Sequence, residues 1–411
     1  MKLTLINPNI VSQKHDFYGT GIPYMPITLA YLAAYLSKKK HDISIIDAFG
    51  LNPLQKQVKG DYIIQGLRIS EILGKIPDDT DAIFIYASQV VQHNRIIEII
   101  MALKKRFNDK KIIMIENPQS VVSYSLKRAH KEFFDSDVDF IIVGEPELTA
   151  SELIDAIAKK KEDYSDIKGI IYAKDGKINI NAEREHIADL DSIPFPLWEM
   201  FPLENYWKLS YSHAPLKRNA RYMPILTSRG CPYNCEFCII PYINERKWRC
   251  RSAVNVVDEI EYYYRKFRIN EIHIEDLNPT LKKERIIDIC KEIIKRKIKI
   301  EVKFAAGIKL ETIDEKCLDW LKKAGCTYIS FSPESGSQKI LNLMDKPFDY
   351  KYGIDMTKAM HKLGITSQAC FVLGFPGEKK VDLCLTNKYL KSLTKAVIDE
   401  IALFIMTPIP G

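Results

Sequence analysis

The sequence predicts an α/β protein in two parts, a doubly wound parallel sheet followed by a partial parallel β/α barrel. Three observations carry this reading. Short apolar, β-branched runs alternate with helical patterns along the whole chain. A proline-bearing stretch at residues 189–196 interrupts the alternation and cannot be helical through its prolines. The length of 411 residues exceeds what a single core usually organises.

In the first part, residues 2–7 read as a strand, 26–38 as a helix and 43–47 as a second strand. Residues 82–87, 111–115 and 138–143 add three more strands, with helices at 95–106 and 149–158. Continuous apolar strands of this kind are buried on both faces of a parallel sheet. Ligands in such sheets sit beyond the carboxyl ends of the strands, near a switch point. Those ends run here into Asn7-Pro8-Asn9, Ser88-Gln89, Asn117-Pro118-Gln119 and Gly144-Glu145-Pro146-Glu147. Small and polar turns suit a cofactor-binding rim, and loops that hold no ligand carry the same residues. Residues 168–180 form a hairpin around Asp175-Gly176. The expected division is a first domain over 1–165, hairpin and linker over 166–200, and a second domain over 201–411.

In the second part, strands are expected at 224–227, 271–274, 301–304, 328–331, 369–373 and 400–405. Helices at 256–267, 283–296, 315–323 and 351–363 fill the intervals. Strand–helix units in this number make a (β/α)6 barrel without a helix after the last strand. Barrels of this type carry their chemistry at the carboxyl ends of the strands. The chain ends directly after the sixth strand, which is expected to leave apolar surface uncovered.

Composition excludes several classes. Lys and Arg number 60 against 53 Asp and Glu, and runs such as Lys38-Lys39-Lys40 read as solvated faces, so there is no strong nucleic-acid signal. No stretch reaches the roughly 18 apolar residues of a membrane span, and the start turns polar too early for a secretory signal. A cytoplasmic protein is expected. Its nine cysteines, none before Cys231, do not form the even, spaced framework of a secreted disulfide protein. Cys250, Cys290, Cys317, Cys326, Cys370 and Cys384 read as buried small residues. The eight histidines form no ligand pair.

The remaining three cysteines stand in Arg229-Gly230-Cys231-Pro232-Tyr233-Asn234-Cys235-Glu236-Phe237-Cys238, just beyond the first barrel strand. Thiolates are soft ligands for iron–sulfur clusters or zinc. An electron-transferring cubane takes four cysteines, so three in one loop leave one iron open for a substrate or cofactor. Zinc is the alternative and would need a fourth ligand such as Cys250 or His213.

With an aromatic residue before the last cysteine, this CxxxCxxC segment resembles the signature of the radical S-adenosylmethionine (radical SAM) superfamily. Glu275-Asp276-Leu277-Asn278 resembles the superfamily's acidic loop after the second strand. Ser332-Pro333-Glu334-Ser335-Gly336-Ser337 and Gly374-Phe375-Pro376-Gly377-Glu378 resemble its ESGS and GxPGE segments after the fourth and fifth. The resemblance implies a [4Fe-4S] cluster on Cys231, Cys235 and Cys238 that reductively cleaves S-adenosylmethionine to methionine and a 5′-deoxyadenosyl radical. It implies cofactor contacts from Phe237, Glu275, Asp276, Glu334, Ser335, Gly374 and Gly377. The two glycines serve equally well as backbone turns. It further implies an electron donor such as flavodoxin or ferredoxin.

The first part, Rossmann-like, resembles the cobalamin-binding subgroup of this superfamily. The residues that carry the likeness are Asn7-Pro8, the helix Pro26-Ile27-Thr28-Leu29-Ala30-Tyr31-Leu32-Ala33-Ala34, Gly144-Glu145-Pro146-Glu147 and the linker Leu190-Asp191-Ser192-Ile193-Pro194-Phe195-Pro196. The subgroup implies cobalamin (B12) held by Asn7, Pro8, Ser88, Gln89, Asn117, Gly144 and Glu145. Two departures leave open a domain that keeps the fold without the ligand. Asp47-Ala48-Phe49-Gly50 has no histidine for cobalt, and Asn117-Pro118 stands where the subgroup carries Gly-Gly. The implied reaction is methyl transfer to an unactivated carbon of a small-molecule, lipid or natural-product substrate, with ring formation or rearrangement as other outcomes. A truncated or degenerate cluster-binding protein that needs a partner is the alternative. A tRNA methylthiotransferase would carry further cysteines before residue 231, and there are none.

Overall fold

The computed structural model describes residues 1–16 and 20–410, so Gly411, the last residue of the expected second domain, lies outside the described residues. The chain divides into two units. One comprises residues 1–212 with 242–245 and 409–411, and the other residues 213–241 with 246–408.

The first unit begins with β1 (Lys2–Asn7), β2 (Ile10–Gln13), helix α1 (Ile27–Lys38) and β3 (Asp42–Asp47). A hairpin of β4 (Lys56–Lys59) and β5 (Tyr62–Gln65) follows, then β6 (Ala82–Ala87) and α2 (His93–Arg106). Next come β7 (Lys111–Glu116), α3 (Leu126–Asp135), β8 (Phe140–Ile142) and α4 (Pro146–Ala158). β9 (Ile170–Lys174) and β10 (Lys177–Ile180) close the unit's main sheet. That sheet runs β10-β9-β8-β7-β6-β1-β3, with the five strands from β8 to β3 parallel as expected. Two features differ from the sequence reading. The hairpin expected in the linker instead extends the sheet, β9 pairing antiparallel with β8 in the register Phe140↔Tyr172. β2, β5 and β4 form a separate three-stranded antiparallel sheet, which short polar strands such as Lys56–Lys59 do not announce.

Burial explains the parallel order. Every residue of β6 is buried, and Ile112 to Ile115 are too. On one side, Ile6, Ile46, Ile83, Ile85 and Met114 pack with Ile96, Ile99 and Leu103 of α2 and Phe133 of α3. The helical residues recur at intervals of three and four, the stripe of an amphipathic helix. Helix α4 starts on Pro146 at its first turn, where the missing N–H costs nothing.

The second unit holds β11 (Tyr222–Ile225), a short antiparallel pair β12 (Ser228–Arg229) and β13 (Arg249–Cys250), and α5 (Ala253–Lys266). β14 (Glu271–Ile274), α6 (Lys283–Lys295), β15 (Glu301–Ile308), α7 (Glu315–Lys323), β16 (Cys326–Glu334) and α8 (Tyr350–Lys362) continue the alternation. β17 (Thr366–Leu373), α9 (Lys380–Lys395) and β18 (Glu400–Ile405) complete it. The strands run β11-β14-β15-β16-β17-β18, all parallel, which is the six-stranded partial barrel expected.

Register gives this sheet two unlike faces. Ile272, Val302, Phe304, Ile329, Phe331, Ala369 and Phe371 are buried on one. The other carries a polar chain of contacts. Lys303 donates to Glu271 at 2.5 Å, and the His273 Nε2 lies 3.4 Å from the same carboxylate. Ser330 donates to Gln368 at 3.0 Å, and Gln368 to Glu400 at 3.0 Å. At β18, Leu403 and Ile405 are exposed, the uncovered apolar surface that the sequence predicts.

The six cysteines outside the motif are not alike, contrary to the sequence reading. Cys290, Cys317 and Cys326 are buried, Cys250 and Cys370 half-buried, and Cys384 exposed on α9. Position on a helix or strand face sets this, and residue type alone does not reveal it.

The approach of β15 to β16 depends on one glycine. Gly325 has φ +98°, and a Cβ there would lie 2.2 Å from the Ile300 carbonyl oxygen. Gly325→Ala is expected to cost about 2–3 kcal/mol. Thermal unfolding should show a lowered transition for the second unit; an unchanged melting curve would count against this packing.

Candidate functional site

The cysteine loop is anchored from behind by one carboxylate. Asp276, 1% exposed, follows β14 and accepts three hydrogen bonds from the end of the first barrel strand. Its Oδ1 takes the Thr227 N–H at 2.7 Å, and its Oδ2 takes the hydroxyls of Thr227 at 2.7 Å and Ser228 at 2.5 Å. Burial pushes this carboxyl up against those bonds. The Thr227 carbonyl in turn accepts from the Arg251 N–H at 3.0 Å. Gly230, at φ +80°, then turns the chain into Cys231.

Within the loop, the Cys238 N–H bonds the Cys235 carbonyl at 3.0 Å, and the Glu236 N–H the Met344 carbonyl at 3.0 Å. The Cys231 sulfur is hydrogen-bonded by the Tyr233 N–H and the Asn278 side chain, the Cys238 sulfur by the Ile240 N–H. Burial pushes all three thiols up, Cys238 to about 12, while the Lys346 ammonium acts on each in the opposite sense. Lys346 pairs with Glu334 and lies 5.7 Å from the Phe237 ring centre. Burial opposes the Lys346 charge, yet Glu334, Cys235 and Cys238 together raise its pKa. Glu334 itself sits at φ +65°, a strained backbone for a residue with a side chain.

These residues fit an iron–sulfur cluster. The donors are three soft thiols near one another, with N–H groups directed at two of the sulfurs. The Asn278 Oδ1, buried beside them, has no hydrogen-bond partner among the described residues. The zinc alternative does not gather its ligands. Cys250 stands opposite Ser228 in the β12–β13 pair, and His213 gives its Nδ1 to Glu275 at 2.8 Å. Among the described residues no three His, Cys, Asp or Glu side chains, those of the loop included, are grouped closely enough to hold a single metal ion; the thiols of a four-iron cubane stand on separate irons and lie farther apart.

The other residues singled out from the sequence divide. Phe237 and Glu334 stand with the cysteines around Lys346. Glu275 lies with His213, and it acts electrostatically on Tyr222 and His273 of the polar face. Ser335 is wholly buried, its hydroxyl 3.3 Å from that of Thr386 on α9. Gly374, at φ +82°, donates its N–H to Glu378 at 2.6 Å, and Gly377 is at φ +90°; both turns require the left-handed backbone that glycine allows. Lys346 and Asn278 escaped the sequence reading. Asn278 stood inside a quoted motif but was overshadowed by its acidic neighbours, and Lys346 belongs to no pattern that the sequence displays.

In the first unit the turns after β1, β6, β7 and β8 line up along the carboxyl edge. Asn7 donates to Asp47 at 2.8 Å, and Asp47 also accepts from the Gly50 N–H and the Tyr206 hydroxyl. Pro8 is buried beside Asn7. Ser88 and the Gln89 N–H both donate to Gln92, and Asn117 donates to the Ser88 carbonyl at 3.1 Å. Glu116 accepts the N–H groups of Leu126 and Gly144, each at 2.8 Å. Glu145 accepts the Ile187 N–H at 3.2 Å. A cavity of about 60 Å³ opens beside Glu116, Gly144 and Glu145. Gly144, at φ +74°, has open space where a Cβ would stand. The edge is polar, and no histidine follows β3 to reach a metal.

Comparison with known proteins places this geometry. Residues 225–390 match the Radical SAM superfamily. The matched residues lie within the second unit and include the cysteine loop. An uncharacterized methyltransferase of Pyrococcus horikoshii is 29% identical over 412 residues, which take in all of this chain and 82% of that protein. The fold is also that of solved cobalamin-dependent enzymes. The radical enzyme OxsB, solved with aqua-cobalamin bound, superposes with a TM-score of 0.75 at 21% identity, over 95% of this chain and 52% of its own. TsrM of Kitasatospora setae, a radical S-adenosylmethionine methyltransferase solved with cobalamin and a [4Fe-4S] cluster, gives 0.73 at 15% identity, over 98% and 74%. This chain spans about half the length of OxsB. The Rossmann-like sheet and partial barrel expected from the sequence are borne out. No helix among the described residues is long and apolar enough to cross a membrane.

Burial raises the Glu116 carboxyl from 4.5 to about 7, against its two N–H bonds. Between those values the folded unit keeps a proton that the unfolded chain has lost, so stability falls as pH rises through the window and levels off above it. The expected loss is about 3 kcal/mol. Urea unfolding of the first unit from pH 5 to 8 should show this slope, and Glu116→Gln should flatten it; parallel slopes in both proteins would refute it.

Proposed function

We propose that the protein is a cobalamin-dependent radical SAM enzyme that transfers a methyl group to an unactivated carbon of a small-molecule, lipid or natural-product substrate. The observation that carries this is the set of three thiols around one ammonium. Cys231, Cys235 and Cys238 would hold the cluster, leaving one metal corner open. Together the cofactors would supply one electron for the sulfonium of S-adenosylmethionine and, on cobalamin, a carrier for the methyl group.

The chain's own residues set the conditions for that chemistry. Lys346 and Glu334 present a cation and an anion side by side, which complements the carboxylate and ammonium of an amino-acid zwitterion. Phe237 offers a ring face beside them for a base. Asp276 keeps the strand end in place, so that the loop presents its sulfurs in a fixed order. Ser335, Gly336 and Thr386 join the turn after β16 to α9: the Gly336 N–H donates to the Thr386 hydroxyl at 3.0 Å. In the first unit, Asn7, Pro8, Ser88, Gln89, Asn117, Gly144 and Glu145 form the edge that would bear cobalamin. Nine free cysteines suit a reducing, cytoplasmic setting. An electron donor such as flavodoxin or ferredoxin completes the system.

Anaerobic reconstitution with iron and sulfide tests the reading. The protein should cleave S-adenosylmethionine to 5′-deoxyadenosine, and replacing any one of the three cysteines with Ala should lower the rate at least about 100-fold. Absence of both a cluster signal in electron paramagnetic resonance and 5′-deoxyadenosine would end the proposal. A corrin absorption band retained through gel filtration checks cobalamin in the same sample.

Lys346→Met should raise the KM for S-adenosylmethionine about 10- to 100-fold, the loss of one charge-assisted bond. Iron content should not change, and Lys346→Arg should recover most of the affinity. Equal KM values in all three proteins would remove Lys346 from the site.

A further inference from the structure

The Asn278 side chain is used at one end only. It is 2% exposed, its N–H donates to the Cys231 sulfur, and its Oδ1 has no hydrogen-bond partner among the described residues. A buried acceptor left unmet works against folding, so an apolar residue of the same shape would serve stability better at this position. What the amide supplies, and an apolar residue cannot, is a hydrogen bond to the sulfur.

The turn that carries Asn278 is fixed at three points. Asp276 is bonded to the end of the first barrel strand. The Trp248 indole N–H donates to the Asn278 carbonyl at 2.9 Å, and the Arg285 guanidinium to the Pro279 carbonyl at 3.4 Å. These bonds hold the amide in place against the sulfur, as a group supporting a metal ligand must be held. The Tyr233 and Ile240 N–H groups, which also donate to the sulfurs, are backbone close to the cysteines themselves. Asn278 instead comes from beyond β14, so its donor can be exchanged without altering the backbone of the loop.

We infer that Asn278 is a positioning residue that sets the reduction potential of the cluster through its bond to the Cys231 sulfur. This rests on the radical SAM reading above. A hydrogen bond to a thiolate strengthens as negative charge on the metal centre grows, so the reduced form gains more from it than the oxidised form, and the potential rises. Lys346, whose ammonium acts on all three thiols, works in the same sense. Without the Asn278 donor the reduced state is harder to reach and is a stronger reductant once reached. The amide thus balances ease of loading the electron against the force available to break a carbon–sulfur bond.

The test is a redox titration of the reconstituted full chain, read by electron paramagnetic resonance of the reduced cluster. Asn278→Leu, close in shape, should take up as much iron as the unsubstituted protein. Its equilibrium constant for reduction should fall about tenfold, a shift of about 59 mV for one electron. Asn278→Asp keeps the shape and puts a negative charge in place of the donor. It should lower the midpoint further, and it decides the matter if the Leu variant does not fold. A role confined to packing would lower iron content or the melting temperature and leave the midpoint where it was. That result overturns the inference, as do equal midpoints in all three proteins. A chain that takes up no cluster overturns the functional reading and the inference together. Failure of the functional reading alone looks different: the cluster forms and S-adenosylmethionine is not cleaved, while the midpoints still decide the role of Asn278.

Discussion

One buried carboxylate underlies the arrangement of the second unit. Asp276 closes three hydrogen bonds onto Thr227 and Ser228, where the first barrel strand becomes the cysteine loop. A carboxylate taken out of water is costly unless its lone pairs are met, and here the strand end meets them. Position of the loop is thereby tied to the end of the second strand rather than left to a flexible connection. The sulfurs, their N–H donors and Lys346 can then share one small volume despite lying far apart in the chain.

Division of the second sheet into an apolar and a polar face serves the same end. Buried Ile, Val and Phe side chains give the sheet its cohesion, while on the opposite side Glu271 binds His273 and Lys303, and Gln368 joins Ser330 to Glu400. Left-handed backbone marks the ends of the fourth and fifth strands, at Glu334, Gly374 and Gly377, and recurs elsewhere in the unit, as at Asp345 and Val397. The first unit repeats the logic with a different sheet. Its carboxyl edge is polar, and it is open at Gly144.

Much of the fold was legible because burial on both sides of a parallel strand leaves an unmistakable run, as in Ala82–Ala87 and Lys111–Glu116. The hairpin of β9 and β10 was legible as a hairpin but not as part of the sheet, since its pairing with β8 depends on a distant strand. The small sheet of β2, β4 and β5 was not legible, because polar residues such as Lys56, Gln57 and Lys59 carry no alternation. Cys384 on the surface and Cys317 in the core could not be told apart by type.

The sequence by itself determined the chemistry of the donors. Three thiols at fixed spacing beyond a barrel strand specify soft-metal binding with an open position, because that follows from covalent spacing and ligand softness. Which groups surround the thiols was decided only in three dimensions. Lys346, Asn278 and Trp248 are brought to the loop by strand order and turn geometry. Charge and hydrogen bonding act through space, so their effect on a sulfur depends on distance and on excluded water, neither of which is written in the order of residues.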